Sequence, residues 1–356
     1  MNVIKTEILG ILFSMLIIGC STNVSSSNLD NSKDSNNGII LEQVVAQSSG
    51  SSIPTEEASN KTTPSPRVNS ALVYDSHRNI FVLFGGESDA HFYNDTWEYD
   101  GSQWVRLEIA SPPPERSKHG MVFDENRGVV VLFGGITVSG TYLDDLWELD
   151  NGNWVQKSIT SDIPTARNSP AMTYASKWKG IFMFGGDTPG GEVADFWFYN
   201  GSNWMNQSHL TDAIIPSIKQ PEIVYDPKRE VLILTKTFND NIYEFDGSQW
   251  TVKDNIIYDE QFISFISYDL AYDKNKGRVI IYNNSVPEEP CLWEYNGAEL
   301  EKAVTSLCPP FRWGQAMAFN EKEGLIMVFG GVDNQKNALN DVWKHQNDSW
   351  TMDFNS

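Results

Sequence analysis

The chain has 356 residues, 40% hydrophobic and 12% aromatic, with 12 tryptophans, enough for a large packed core and within the length that closed β folds reach as one unit. Lys and Arg total 26 against 47 Asp and Glu, a formal net charge of −21. Such acidity repels phosphates and argues against a nucleic-acid partner.

Residues 1–20, MNVIKTEILGILFSMLIIGC, open with a short polar stretch holding Lys5 and Glu7, then run apolar from Ile8 to Ile18. That run is too short for the roughly 30 Å hydrocarbon core, which needs about 20 helical residues, and suits the apolar region of a signal peptide. Its end, Ile17-Ile18-Gly19-Cys20, resembles the lipobox of bacterial lipoproteins. The resemblance implies cleavage before Cys20, thioether lipidation of Cys20 and acylation of the new amino terminus. The lipid bilayer is then a partner, held through several acyl chains at about 0.8 kcal/mol per buried CH₂. The address is the bacterial cell envelope, outside the cytoplasm. An ordinary secretory signal with a chance cysteine is the alternative, but the cysteine falls where the apolar run stops.

Residues 21–63 are rich in Ser, Asn and Thr and contain no aromatic residue, so they read as a flexible tether. Asp30–Gly38 has the look of a calcium loop but lacks a Glu at the twelfth position. Ile39–Val45 is a candidate extra strand.

The rest of the chain repeats. Aromatics close a short strand at Tyr74, Phe123, Tyr174, Tyr225, Tyr272 and Phe319. A second column runs Trp97, Trp147, Trp197, Tyr243, Trp293 and Trp343, and seven residues after each come Trp104, Trp154, Trp204, Trp250, Leu300 and Trp350. Six units result: 64–110, 111–160, 161–212, 213–258, 259–306 and 307–356. In the first, Asn69–Tyr74 reads as one strand, Ile80–Phe84 as a buried second after a polar turn, Trp97–Tyr99 as a third and the stretch around Trp104 as a fourth. Asp100-Gly101 suits a two-residue hairpin with positive φ, which predicts Trp97 opposite Trp104 on one face.

A four-stranded sheet apolar on both faces must be covered twice, and six in tandem achieve this by radial stacking. FVLFGG…NDTWEYDGSQW, VVLFGG…DDLWELDNGNW, IFMFGG…ADFWFYNGSNW and IMVFGG…NDVWKHQNDSW resemble Kelch repeats. The resemblance implies an all-β fold: a six-bladed Kelch-type β-propeller with four antiparallel strands per blade over 64–356. Units four and five depart from it, with Lys236-Thr237 and Asn283-Asn284 in place of Gly-Gly. Asn tolerates left-handed backbone, so unit five is expected to keep the shape and unit four to lose it.

Strand alternation puts the unit-to-unit links and the loops joining second to third strands on one face. Those loops are long in units one, two, three and six, and irregular loops on a rigid scaffold are where recognition concentrates. Candidate contact residues are Glu87, His91, Phe92, Tyr93, Tyr142, Asp187 and Glu192. Arg67, Arg116, Arg167 and Arg312 stand seven residues before their strand aromatic, in the same four units that carry Asp95, Asp145, Asp195 and Asp341 two residues before Trp. A ring of guanidinium groups could bind an anion. Units four and five lose Arg, Asp and Gly-Gly together, and this favours structural Arg–Asp pairs instead. Cys291 and Cys308 flank the last hairpin of unit five, and in an exported protein a disulfide is expected.

No metal-ligand spacing, nucleophile elbow or phosphate loop is present, so no metal and no cofactor are expected. Copper radical oxidases share such blades but need a Tyr–Cys crosslink, and the cysteines are better explained as a disulfide. The expected function is a monomeric, membrane-anchored binding module for a protein or glycan, acting through the loop face. The alternative is an exported carbohydrate-active enzyme resembling sialic-acid mutarotases, an analogy of fold and compartment.

Overall fold

The computed structural model describes residues 63–353, apart from 90, 161, 212–214, 218–219, 236–240, 254–268, 284–290 and 306. Cys20, the 21–62 stretch with Ile39–Val45, and Ile218, Lys236, Thr237, Phe265 and Asn284 lie outside the described residues. Among the described residues no helix is long and apolar enough to cross a membrane.

Each unit forms a four-stranded antiparallel sheet whose strands follow chain order, and six such sheets make a β-propeller. The first blade is Ala71–Asp75, Ile80–Phe84, Thr96–Tyr99 and Trp104–Arg106. Side chains alternate across a strand, so each blade offers an apolar face to both neighbours. In the second strand of blade 1, Phe81 and Leu83 pack towards blade 6, whereas Val82 and Phe84 pack towards blade 2. Repetition of this alternation gives six apolar clusters, one at each blade interface.

The fourth-strand indoles have a defined place in these seams. Each packs against the aromatic at the fifth position of the second strand of the preceding blade: Trp104 on Phe329 at 5.3 Å between centroids, Trp154 on Phe84 at 5.2 Å and Trp204 on Phe133 at 5.4 Å. Such tilted pairs contribute about 0.5–1.5 kcal/mol beyond buried area. At the seam between blades 4 and 5 both members are missing. Leu300 replaces the Trp, and Thr235 replaces the aromatic at the end of Val231–Thr235. The two departures seen in the sequence are thus one departure in space.

The ring closes without a borrowed strand. Blade 6 is contiguous: Ala316–Asn320, Leu325–Val332, Ala338–Gln346 and Ser349–Asp353. It meets blade 1 through an apolar cluster, through Arg67 N donating to Leu339 O at 2.9 Å, and through the Tyr99 hydroxyl donating to Asp353.

Two local expectations need correction. Trp97 does not face Trp104. Tyr99 does, with ring centroids 5.0 Å apart, and Trp97 lies opposite Arg106. Asp100 Oδ1 accepts from the Ser102 and Gln103 nitrogens at 2.8 and 2.9 Å, which widens the turn to four residues, Asp100–Gln103. Blades 3, 4 and 5 have the same side-chain cap at Asn200, Asp246 and Asn296. Blades 2 and 6 do use two-residue loops, but these are Asn151-Gly152 and Asn347-Asp348, all at positive φ. The second correction is in unit five, where Asn283 takes no left-handed φ, unlike the glycines at its position.

Candidate functional site

The conserved-looking set of Arg, Asp and Gly-Gly is a joint between blades. Arg116 donates from Nη1 and Nη2 to the two Asp145 oxygens at 2.6 and 2.7 Å, and from Nη1 to Gly134 O at 2.9 Å. Arg67–Asp95, Arg167–Asp195 and Arg312–Asp341 repeat this bidentate geometry at 2.6–2.9 Å. Each Asp also accepts from the indole of its strand Trp at 2.7 Å. All four guanidinium groups are buried. Planar fork-to-fork pairing fixes orientation as well as energy. In the other direction, the Arg116 carbonyl accepts from Gly86 N of the preceding blade at 2.9 Å, as Arg167 does from Gly135 and Arg67 from Gly331. The side chain thus holds its own loop while the backbone holds the neighbour's. None of the four lines either axial mouth.

The candidate contact residues fall into two groups on the loop face. In blade 1, Glu87–Ser88 pairs with His91–Phe92 as a small hairpin. Glu87 accepts from Asn69 Nδ2 at 2.7 Å, and exposed His91 stacks edge-on to Tyr93 at 4.6 Å. Tyr93 covers buried Arg67 at 4.1 Å, with its hydroxyl 2.8 Å from Ser88 Oγ. Phe92 is half-buried. The second group spans blades 2 and 3: the Tyr142 hydroxyl donates to Asp187 at 3.0 Å, and exposed Glu192 lies opposite Asp187 in the strand register. Cys291 and Cys308 are joined as a disulfide with Cα atoms 5.9 Å apart, tying the start of the third strand of blade 5 to the link into blade 6.

Between these groups opens the axial mouth, a cavity of about 540 Å³. Its rim residues Asn69, Lys118, Ser169, Gln220 and Gly314 all take positive φ. They are linked around the axis by Asn69 N to Gly314 O, Lys118 N to Asn69 O and Ser169 N to Lys118 O at 2.6–3.0 Å. The opposite mouth is smaller, about 280 Å³, and is lined by the six aromatics that close the first strands.

Two residues below the rim, each inner strand begins with Ala71, Gly120, Ala171, Glu222, Asp269 or Ala316. Neighbouring blades 4 and 5 therefore put two carboxyls where the other blades have no polar side chain. Both line the mouth. Both are half-buried. Burial pushes Asp269 up to about 7 against the pull of Gln315, whose Nε2 donates to Asp269 Oδ2 at 2.6 Å. Burial, with repulsion from Asp269, holds Glu222 well above the usual carboxylate range. Two further groups line the same cavity with buried polar atoms that no described residue meets: Gln315 Oε1 and both ring nitrogens of His119. Burial, then the charge of Arg116, pushes His119 down to about 3, so it is neutral.

Sequence reading passed over Glu222 and Asp269. The signal was present as the only two carboxylates in a column of Ala and Gly. Such a pair can hold a shared proton near neutral pH or accept from a cationic donor. Among the described residues no group of three or more His, Cys, Asp or Glu could hold a metal ion.

The KLHDC2/KLHL20/DRC7 Kelch-repeats domain matches residues 41–217 and 100–255, together more than half of the chain. Among solved structures, that of YjhT aligns with 82% of this chain and 99% of its own, at a TM-score of 0.61 and 11% identity, a likeness of fold. With blades, glycine pairs and buried arginines repeating in register, the chain belongs to the Kelch-repeat family.

Proposed function

We propose that this is a lipid-anchored binding module of the bacterial cell envelope, tethered through acylated Cys20, which recognises its ligand through the loop face. The observation that supports this reading best is the axial mouth. It is the larger of the two ends, and of the two it alone, among the described residues, is lined by buried polar atoms without partners, which cost about 1–3 kcal/mol each when shut off from water. Unmet polar atoms also occur in the blade seams, at indole nitrogens among others, but here they open on a cavity that a ligand can enter. Around the mouth, His91, Phe92 and Tyr93 on one side and Tyr142, Asp187 and Glu192 on the other supply aromatic and acidic contact area. The buried arginines hold these loops in place, and a monomer suffices, because every blade interface is satisfied within the chain.

The test is a screen of the full chain against peptide and glycan arrays, repeated with paired substitutions on each face. The pairs H91A/F92A and Y142A/E192K should abolish the hits, whereas E125K/E321K at the opposite mouth should leave them intact. The reverse pattern overturns the reading.

A second reading, a carbohydrate-active enzyme, is favoured by one feature of the mouth: half-buried Asp269, pushed by desolvation up to about 7, is the kind of carboxyl general acid–base chemistry needs. Accelerated anomer exchange of sialic acid, followed by NMR and lost in Asp269→Asn, would establish it.

A further inference from the structure

With its carboxyls ionised, the floor of the axial mouth is mainly one of acceptors, neutral His119 adding one donor and one acceptor. Glu222 offers two acceptor oxygens, and Asp269 offers Oδ1, since Oδ2 is taken by Gln315 Nε2. Gln315 commits one N–H of its amide to Asp269, and its Oε1, an acceptor, meets no described residue. Gln315 and His119 are each more than nine-tenths buried. The surplus of acceptors over donors calls for a ligand group rich in N–H and positively charged.

Just beneath the carboxyl level the lining is of another kind: Leu72, Met121, Met172 and Met317, each one residue further along its strand, line the same cavity and place methyl groups where they report a ligand seated there. The carboxyls lie two residues below the rim, roughly 7 Å at the strand rise of about 3.3 Å per residue. That depth suits a lysine's four-carbon stem carrying a compact ammonium with three donors. A sugar ring would instead need polar partners on all sides. An arginine's planar fork would need a single carboxylate presented edge-on, whereas here acceptors come from three separate side chains.

Resting on the reading of the loop face as the binding face, we infer that the axial mouth is a socket for a lysine side chain of a peptide or protein partner, its ammonium seated between Glu222, Asp269 and Gln315 Oε1. Lys118, on the rim, is the one cation lining the cavity among the described residues. It does not figure among the influences on either carboxyl. His119 is neutral and contributes no charge. The wider charge of −21 draws basic partners towards the molecule.

The experiment uses the full chain labelled at methionine methyl carbons and titrated with Nα-acetyl-lysine amide. Saturable shifts are expected at Met121, Met172 and Met317. Nα,Nε-diacetyl-lysine amide, which keeps the stem and loses the charge, should leave them unmoved. Affinity should rise with pH by up to about tenfold per unit while the carboxyls still hold protons, because the ammonium competes with those protons. Glu222→Ala and Asp269→Ala install the residue that other blades carry at this position, so folding is kept, and each should weaken binding roughly tenfold or more. Equal binding of the neutral analogue, binding that does not weaken in these variants, shifts confined to other methionines, or no shift at all overturns the proposal. In each of those cases array hits that remain sensitive to H91A/F92A or Y142A/E192K leave the loop-face reading standing, whereas hits insensitive to both remove it as well.

Discussion

The nitrogen of Gly86 donates a 2.9 Å hydrogen bond to the carbonyl oxygen of Arg116, whose guanidinium in turn grips Asp145 and Gly134 of its own blade. One residue therefore fastens two blades. The glycines are part of the same joint. A Cβ at Gly85, φ +64°, would stand 2.7 Å from that carbonyl and 2.9 Å from the His119 ring. Only a residue without Cβ lets the neighbouring link approach so closely.

Gly85→Ala should therefore cost roughly 3 kcal/mol or more. Gly101→Ala is the control: φ is +98° there, but nothing lies within 4 Å of the added carbon, so only backbone strain of about 1–2 kcal/mol is expected. Chemical denaturation of both variants checks this, and equal losses would mean the blade joint tolerates the methyl group.

Arg116→Ala should cost about 3–5 kcal/mol, because Asp145 and Gly134 O lose a buried charged partner. Arg116→Lys should rescue little, since an ammonium cannot reproduce the bidentate fork. Thermal melts read the effect. Lost ligand binding with an unchanged melting temperature would instead assign these arginines to recognition.

Blade 5 lacks the indole-on-aromatic contact, having Leu300 against Thr235, and carries the disulfide. Replacing Cys291 and Cys308 by Ser together should lower stability by about 3 kcal/mol, as expected for a cross-link closing a loop of this length. Hydrogen exchange should rise first in Leu292–Tyr295 and Leu300–Lys302, because local opening begins where packing is poorest. A uniform rise across all blades would contradict the weak seam.

The blades were legible because burial on both faces imposes aromatic columns at a fixed repeat, and the loss of Arg, Asp and Gly together in units four and five already marked them as one assembly. The turn after Tyr99 was misread because residue pairs such as Asp100-Gly101 suggest a tight hairpin. Whether the Asp side chain caps the Ser102 and Gln103 nitrogens instead is a matter of three-dimensional geometry. Tyr93 read as a ligand contact, yet much of its ring is spent covering Arg67. Glu222 and Asp269 went unnoticed because a carboxylate at the start of a strand looks solvated until the other five blades wall it in.

That wall has a pH signature. A carboxyl protonated in the fold and ionised in the unfolded chain makes the folded state bind more protons. Stability then falls as pH rises from about 4, where the unfolded carboxyl ionises, to about 7, and levels off above. Asp269→Asn removes Asp269's share of this dependence and the repulsion it exerts on Glu222, whose own burial-raised titration remains in both proteins. It should match the parent near pH 4 and be the more stable of the two above pH 7, with the gain growing between. Melting temperatures across that range show it. The depressed titration of His119 works in the acid direction but is common to both proteins and cancels.

The axial mouth as the centre of function stands or falls with the state of its carboxyls, and carbon-13 titration of the Asp269 side chain reads that state directly. A midpoint close to 7 is expected, set by burial below the rim. A midpoint near 4, where an ordinary aspartate titrates, would show an open, hydrated groove and contradict it.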